Sequence, residues 1–198
     1  MHFSGLALVM FVASQLNAQE NYSQTAPFNL VISAPGSQIN GSYLASCHEG
    51  AAIEGLCVAT YSKNSGSIYN LNYTSAEIAD FVLGTVGLLT WVLHGVGFNL
   101  SSPMKLSYSA TSNVAVPLFT PSEMGTMIGF DEEDKMFIPS FIDDTNANIQ
   151  PFKELYYRWF ICETYEGYKY TTLAWVLGKY SIPQNPTCQK VTVIKEAL

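Results

Sequence analysis

Charge is what this sequence has least of. Charged residues make up 13% of its 198 positions, and only nine are Lys or Arg; a typical soluble protein carries roughly 25% charge. The cations stand singly along the chain. A phosphate-binding surface needs them clustered, so no nucleic-acid partner is expected. Histidine is scarce too, with three in all, at His2, His48 and His94. Gly-x-Ser-x-Gly, His-Glu-x-x-His and the phosphate loop are all missing, which removes the signatures of triad, zincin and P-loop chemistry. No Cys-x-x-Cys occurs, so the cysteines do not read as a zinc site. The acidic turn Asp131-Glu132-Glu133-Asp134, with Asp143 and Asp144 nearby, lacks the spacing of an EF-hand loop. It reads as a solvated hairpin tip whose charges protect a sticky β-protein. No metal and no cofactor are expected. Nor is there an apolar run of the ~20 residues that a spanning helix needs, so no transmembrane anchor is expected.

What the chain does have is apolar and aromatic. Hydrophobic residues make up 48% and aromatics 13%, with 12 Tyr and 11 Phe. A disordered chain would show the opposite balance. The uncharged run Phe3 to Val12 and the small residue Ala18 resemble a signal peptide over residues 1–18. Residues 19–26 read as a flexible polar tail, and 27–198 as a single secreted β-domain. Sequons at Asn21, Asn40, Asn72 and Asn99 point the same way, whereas Asn185 is excluded by Pro186. Four cysteines in an oxidising compartment suggest disulfides. Of the three possible pairings, Cys47–Cys57 and Cys162–Cys188 are favoured, because each pair lies within one local segment.

The pattern along the chain is all-β. Phe28–Ser33, Tyr43–Cys47, Ile68–Tyr73, Leu88–Leu93, Met104–Ser109, Met127–Phe130, Lys135–Pro139 and Lys190–Ile194 read as strands from alternation or β-branched content. Val114–Phe119 is strand-like, but Pro117 consigns it to an edge or a bulge. His48–Cys57 reads as a small, glycine-punctuated link. Trp159–Cys162 and Tyr170–Val176 form a hairpin around Tyr165-Glu166-Gly167-Tyr168. One short helix is expected over Ser75–Leu83, capped by Ser75, and a single helical turn within Pro151–Tyr157. About a dozen short strands at roughly 8–12-residue spacing predict an antiparallel β-sandwich or barrel. A β-trefoil is the alternative, without a threefold repeat to support it.

Candidate chemistry is thin. His48, Glu49 and Glu54 are the residues that could form an acid/base set, since a carboxylate beside a histidine holds its tautomer. His94 reads as a turn residue. Flat aromatics line sugar-binding faces and apolar pockets, yet most aromatics in such a chain are core. Trp175 is assigned to the core, and Tyr165 and Tyr168, at the hairpin tip, are the candidates for ligand contact.

Several segments resemble small secreted proteins of filamentous ascomycete fungi, an uncharacterised domain family. They are Phe28-x-Leu30, Cys47-His48-Glu49-Gly50-Ala51-Ala52, Ser112-Asn113-Val114-Ala115, Phe130-Asp131 and Asn185-Pro186-x-Cys188-Gln189-Lys190-Val191. The layout from Phe137 to Val193 is also distantly similar to the fungal conidiation-related cell-wall protein PhiA. The resemblance implies a secreted or wall-associated fungal β-domain and assigns no site. The function expected is non-enzymatic, at the cell wall or an external host surface. The alternative is a small-ligand β-domain, or a cofactor-free cyclase or isomerase of secondary metabolism. The partners considered are cell-wall polysaccharide and a small apolar ligand.

Overall fold

A computed structural model of the chain describes residues 22–59, 62–73, 85–144, 147, 150–178 and 182–198. The expected signal peptide over 1–18, the Asn21 sequon and the helix over Ser75–Leu83 lie outside the described residues. Fifteen strands occupy the rest. In chain order they are β1 (Ser23–Gln24), β2 (Phe28–Ser33), β3 (Leu44–Gly50), β4 (Ile53–Val58), β5 (Asn70–Tyr73), β6 (Thr85–Gly95), β7 (Phe98–Ser107) and β8 (Val114–Phe119). They continue as β9 (Met127–Phe130), β10 (Met136–Asp143), β11 (Gln150–Tyr156), β12 (Trp159–Tyr165), β13 (Lys169–Val176), β14 (Gln189–Lys190) and β15 (Thr192–Ala197). Thirteen form one curled antiparallel sheet along the path β11-β10-β9-β6-β7-β8-β4-β13-β12-β14, with β3, β5 and β1 branching from it. The remaining two, β2 and β15, pair as a small second sheet. This is the expected all-β, sandwich-or-barrel class.

The small sheet closes the curl. On one flank β2 bridges Tyr69 and Tyr43, and on the other β15 bridges Lys135. Alternation drives it inward: Phe28, Leu30 and Ile32 of β2 and Val193 of β15 are all buried. They meet Leu56, Leu71, Leu89, Phe119, Trp159, Leu173 and Trp175 of the large sheet in one core. Trp159 and Trp175 are register partners on β12 and β13, packed edge-to-face with centroids 4.7 Å apart. The Trp159 indole N–H donates to the Met136 carbonyl at 2.8 Å. Trp175 is core, as assigned. The opposite face of the same hairpin is buried as well, by a second cluster of Val114, Phe160, Cys162, Ala174, Val176 and Cys188.

Four expectations are corrected by strand pairing. His48–Cys57 is a hairpin rather than a link, because β3 runs on to Gly50 and returns as β4 after Ala51-Ala52. Pro151–Tyr157 holds no helical turn: Gln150–Tyr156 pairs with β10 as a strand. Pro117 sits on an interior strand rather than an edge. One side of β8 pairs with β7 from Val116 to Phe119, while the other pairs with β13 at Val114 and Ala115 and with β4 at Leu118 and Phe119. Pro117 therefore falls where β8 changes partner, a position that needs no ladder donor from it. Lastly, Ser23 and Gln24 of the expected tail pair with Tyr73 and Asn72.

The acidic turn 131–134 is structural. Asp131 Oδ1 accepts the backbone N–H groups of Glu133 and Lys135 at 2.9 and 2.8 Å, and Oδ2 accepts the Tyr157 hydroxyl at 2.8 Å. Asp134 reaches Lys195 of β15 at 2.7 Å. Burial raises the Asp131 pKa, but these three donors outweigh it and leave the carboxyl below its ordinary value. Burial, reinforced by the Asp131 bond, pushes the Tyr157 phenol up to about 12. A carboxyl lowered on folding lends stability above its unfolded pKa and loses it as pH falls through the folded value. Asp131→Ala is expected to cost about 2 kcal/mol in urea unfolding at neutral pH, and less near pH 3. An equal loss at both pH values would contradict this role.

Candidate functional site

The sequence candidates His48, Glu49 and Glu54 and the hairpin-tip residue Tyr168 converge at one junction. On the β3–β4 hairpin, His48 pairs in register with Glu54, and the register shifts at Glu49, between His48 and Gly50. A bulge of this kind re-aims a side chain. Here it turns Glu49 inward, to 5% exposure. Oε2 accepts the backbone N–H of Tyr168 at 3.3 Å, across 119 residues of sequence. Oε1 is buried without a hydrogen-bond partner. It lies over Gly55, where a Cβ would come within 3.3 Å of it and within 3.1 Å of Cys47 Sγ. The Glu49 backbone is in contact too: a Cβ on Gly167 would stand 2.6 Å from the Glu49 carbonyl oxygen. Gly167 also has φ +134°, a left-handed region that glycine alone enters freely. The turn glycine was legible in the sequence; its second task, making room for β3, was not.

Around this carboxyl the chemistry is mixed. His48 Nδ1 lies 3.4 Å from Glu54 Oε1, with the imidazole 57% exposed. The imidazole stands 5.7 Å from the Tyr168 ring, which in turn lies 6.1 Å from Tyr170. Desolvation raises the Glu49 pKa most; Glu166 and Glu54 add to it, while the Tyr168 N–H and His48 oppose it. The net direction is up, so Glu49 holds a proton more readily than a free glutamate. The bond from Tyr168 N–H to Glu49 Oε2 holds the tip of the β12–β13 hairpin against β3.

The pH dependence has a definite sign. A carboxyl whose pKa is raised on folding contributes fully below its unfolded pKa, and the contribution is lost as pH rises through the folded value. Glu49→Gln keeps the shape and an acceptor for Tyr168 but cannot ionise. It is expected to be more stable than the parent at pH 8 in urea unfolding, with the gap closing by pH 4. A variant less stable than the parent at pH 8 would overturn the buried-acid reading.

The remaining candidates are dispersed. Tyr165 and Tyr168 are both exposed, at 75% and 49%. Register puts them on opposite faces, Tyr168 with Tyr170 and Thr172, and Tyr165 with Lys169 and Glu163. They do not form one platform; Tyr168 pairs with Tyr170 instead. Both favoured disulfides are present, Cys47–Cys57 and Cys162–Cys188. Asn40 and Asn99 are exposed, whereas Asn72 is half-buried on β5 between β1 and β6. His94 sits at the β6–β7 hairpin end with Nδ1 2.8 Å from Asn99 Oδ1. Among the described residues no cluster of three His, Cys, Asp or Glu could hold a metal ion, and no helix is long and apolar enough to cross a membrane.

Comparison with known proteins adds a family and no activity. No curated protein and no solved structure matches the chain. A family model described as a domain of unknown function matches residues 25–197. That span takes in every strand from Thr25 onward, both disulfides and the Glu49–Tyr168 junction, and the chain therefore belongs to the DUF7907 family.

Proposed function

We propose that this chain is a secreted, wall-associated fungal domain that acts by binding, with cell-wall polysaccharide as its partner. The observation that carries the reading is the Tyr168–Tyr170 pair. Its rings lie 6.1 Å apart at 34°, on a hairpin tip pinned from behind by Glu49 and Gly167. Flat aromatics on a rigid support offer contact area at low ordering cost, which is what a sugar face needs. The two disulfides support an oxidising, extracellular setting. The resemblance to secreted ascomycete proteins supports the fungal wall.

Co-sedimentation of the secreted protein with insoluble wall glucan and chitin tests this directly. Tyr168→Ala is expected to lower the bound fraction several-fold at unchanged thermal stability. Retention on neither polymer would overturn the proposal. The exposed sequons at Asn40 and Asn99 are expected to carry N-glycans, and Asn72 to be bare, in glycopeptide mass spectra.

A small-ligand role, extending to a cofactor-free cyclase or isomerase, is favoured by one observation, the unpartnered buried Oε1 of Glu49. It predicts a non-covalent mass in native spectra that disappears on denaturation.

A further inference from the structure

We propose that the sugar surface of the Tyr168–Tyr170 pair continues onto His48, and that the resulting strip of rings binds consecutive units of a β-1,3-linked glucan chain. Its ligand class rests on the polysaccharide reading above, which it narrows to one linkage. The His48 imidazole stands 5.7 Å from the Tyr168 ring, and that ring stands 6.1 Å from Tyr170. The imidazole is 57% exposed and Tyr168 49%, while Tyr170 is half-buried. Rings from two hairpins thus meet in one accessible strip.

Their spacing is set before any ligand arrives. On a regular strand His48 and Glu49 would point to opposite faces. The register shift in β3 between His48 and Gly50 lets both meet the same residue of the hairpin tip. His48 lies beside the Tyr168 ring, and Glu49 Oε2 accepts the Tyr168 N–H at 3.3 Å. The neighbouring backbone is equally close, since a Cβ on Gly167 would stand 2.6 Å from the Glu49 carbonyl oxygen. Tyr170 is fixed by its register with Thr164 of β12. Bulges recur where a side chain must be re-aimed beside a site, and a surface ordered in advance lowers the cost of binding.

His48 adds more than area. Its register partner Glu54 places Oε1 3.4 Å from Nδ1. A proton held on Nδ1 makes Nε2 an acceptor, which suits a sugar hydroxyl. Tyr168 and Tyr170 offer faces on which sugar C–H groups stack, each with a hydroxyl at its edge. The ring planes decide the linkage. Tyr168 is tilted 34° from Tyr170 and 50° from His48, so a flat ribbon cannot lie on all of them. A β-1,4 chain such as chitin is a flat ribbon. Successive units of a β-1,3 glucan turn relative to one another and follow such a tilt.

The test titrates isotope-labelled secreted protein with β-1,3-glucan and chitin oligosaccharides from dimer to pentamer, read by NMR. Side-chain shifts at His48, Tyr168 and Tyr170 are expected with the glucan series. Affinity should rise about ten-fold from dimer to trimer and then level off. His48→Ala should abolish that step and leave dimer binding unchanged. His48→Phe keeps a ring without Nε2 and should retain about three-fold of it. A His48→Ala variant that binds the trimer as the parent does, while Tyr168→Ala does not, would overturn the strip and leave the polysaccharide reading intact. Tighter binding of the chitin series would overturn the linkage. Binding of neither series by a protein still retained on insoluble wall polymer overturns the strip alone; loss of that retention overturns both.

Discussion

Trp159→Ala is expected to cost about 4 kcal/mol, the largest single loss in the molecule. The indole is fully buried, meets Trp175 edge-to-face at 4.7 Å and donates to Met136 at 2.8 Å. Truncation removes apolar burial, leaves a cavity and strands the Met136 carbonyl. Domains of this size are stable by roughly 5–15 kcal/mol, so most of the margin would disappear. Trp159→Phe separates the contributions. It keeps most of the ring volume and loses the N–H, for an expected loss of about 2 kcal/mol. Urea unfolding with near-UV circular dichroism reads both. An alanine variant within 1 kcal/mol of the parent would mean that the β12–β13 hairpin does not organise the core.

Replacing Cys162 and Cys188 together by alanine is expected to cost about 3.5 kcal/mol, by loop-closure entropy for a separation of 26 residues. The same change at Cys47 and Cys57, separated by 10 residues, should cost about 2.7 kcal/mol. The order of the two is the sharper expectation. Cys162 is buried in a cluster against which Cys188 of the return segment packs. That segment is also held by Glu163 N–H to Thr187 Oγ1 at 2.9 Å, by Asn185 Nδ2 to the Glu163 carbonyl at 2.8 Å, and by the bonds of Asn113 to Ile182 and Gln184. Hydrogen exchange should therefore rise at β14 and along 182–188 before it rises at β3. Faster exchange at β3 with β14 unchanged would show that the bridge does not anchor the return segment.

The features legible in the chain were those written over short distances. The Trp159–Val176 hairpin followed from two β-rich runs around Gly167, and the structure pairs Trp159 with Trp175 through Tyr165 with Lys169. The acidic turn was readable as a hairpin tip because it separates two strands, although its carboxylate bonds were not. Both disulfides were readable because each closes a local loop. His48, Glu49 and Glu54 were picked out for their chemistry, but their outcome was hidden. A period-two reading puts neighbouring residues on opposite faces, and only the bulge at Glu49 alters which way that carboxyl turns.

By itself, then, the sequence determined the all-β class and the aromatic core hairpin and favoured the cysteine pairing, since propensity, alternation and loop closure act between near neighbours. Tertiary structure alone decided the rest. Gln150–Tyr156 is extended because β10 lies beside it. Pro117 is tolerated inside the sheet because two partners meet there. The last strand leaves the large sheet for β2, Glu49 closes on Tyr168, and Asn113 locks to Gln184. In each case the deciding group lies far along the chain or on another strand, and a strand's own residues do not encode which edge will meet it.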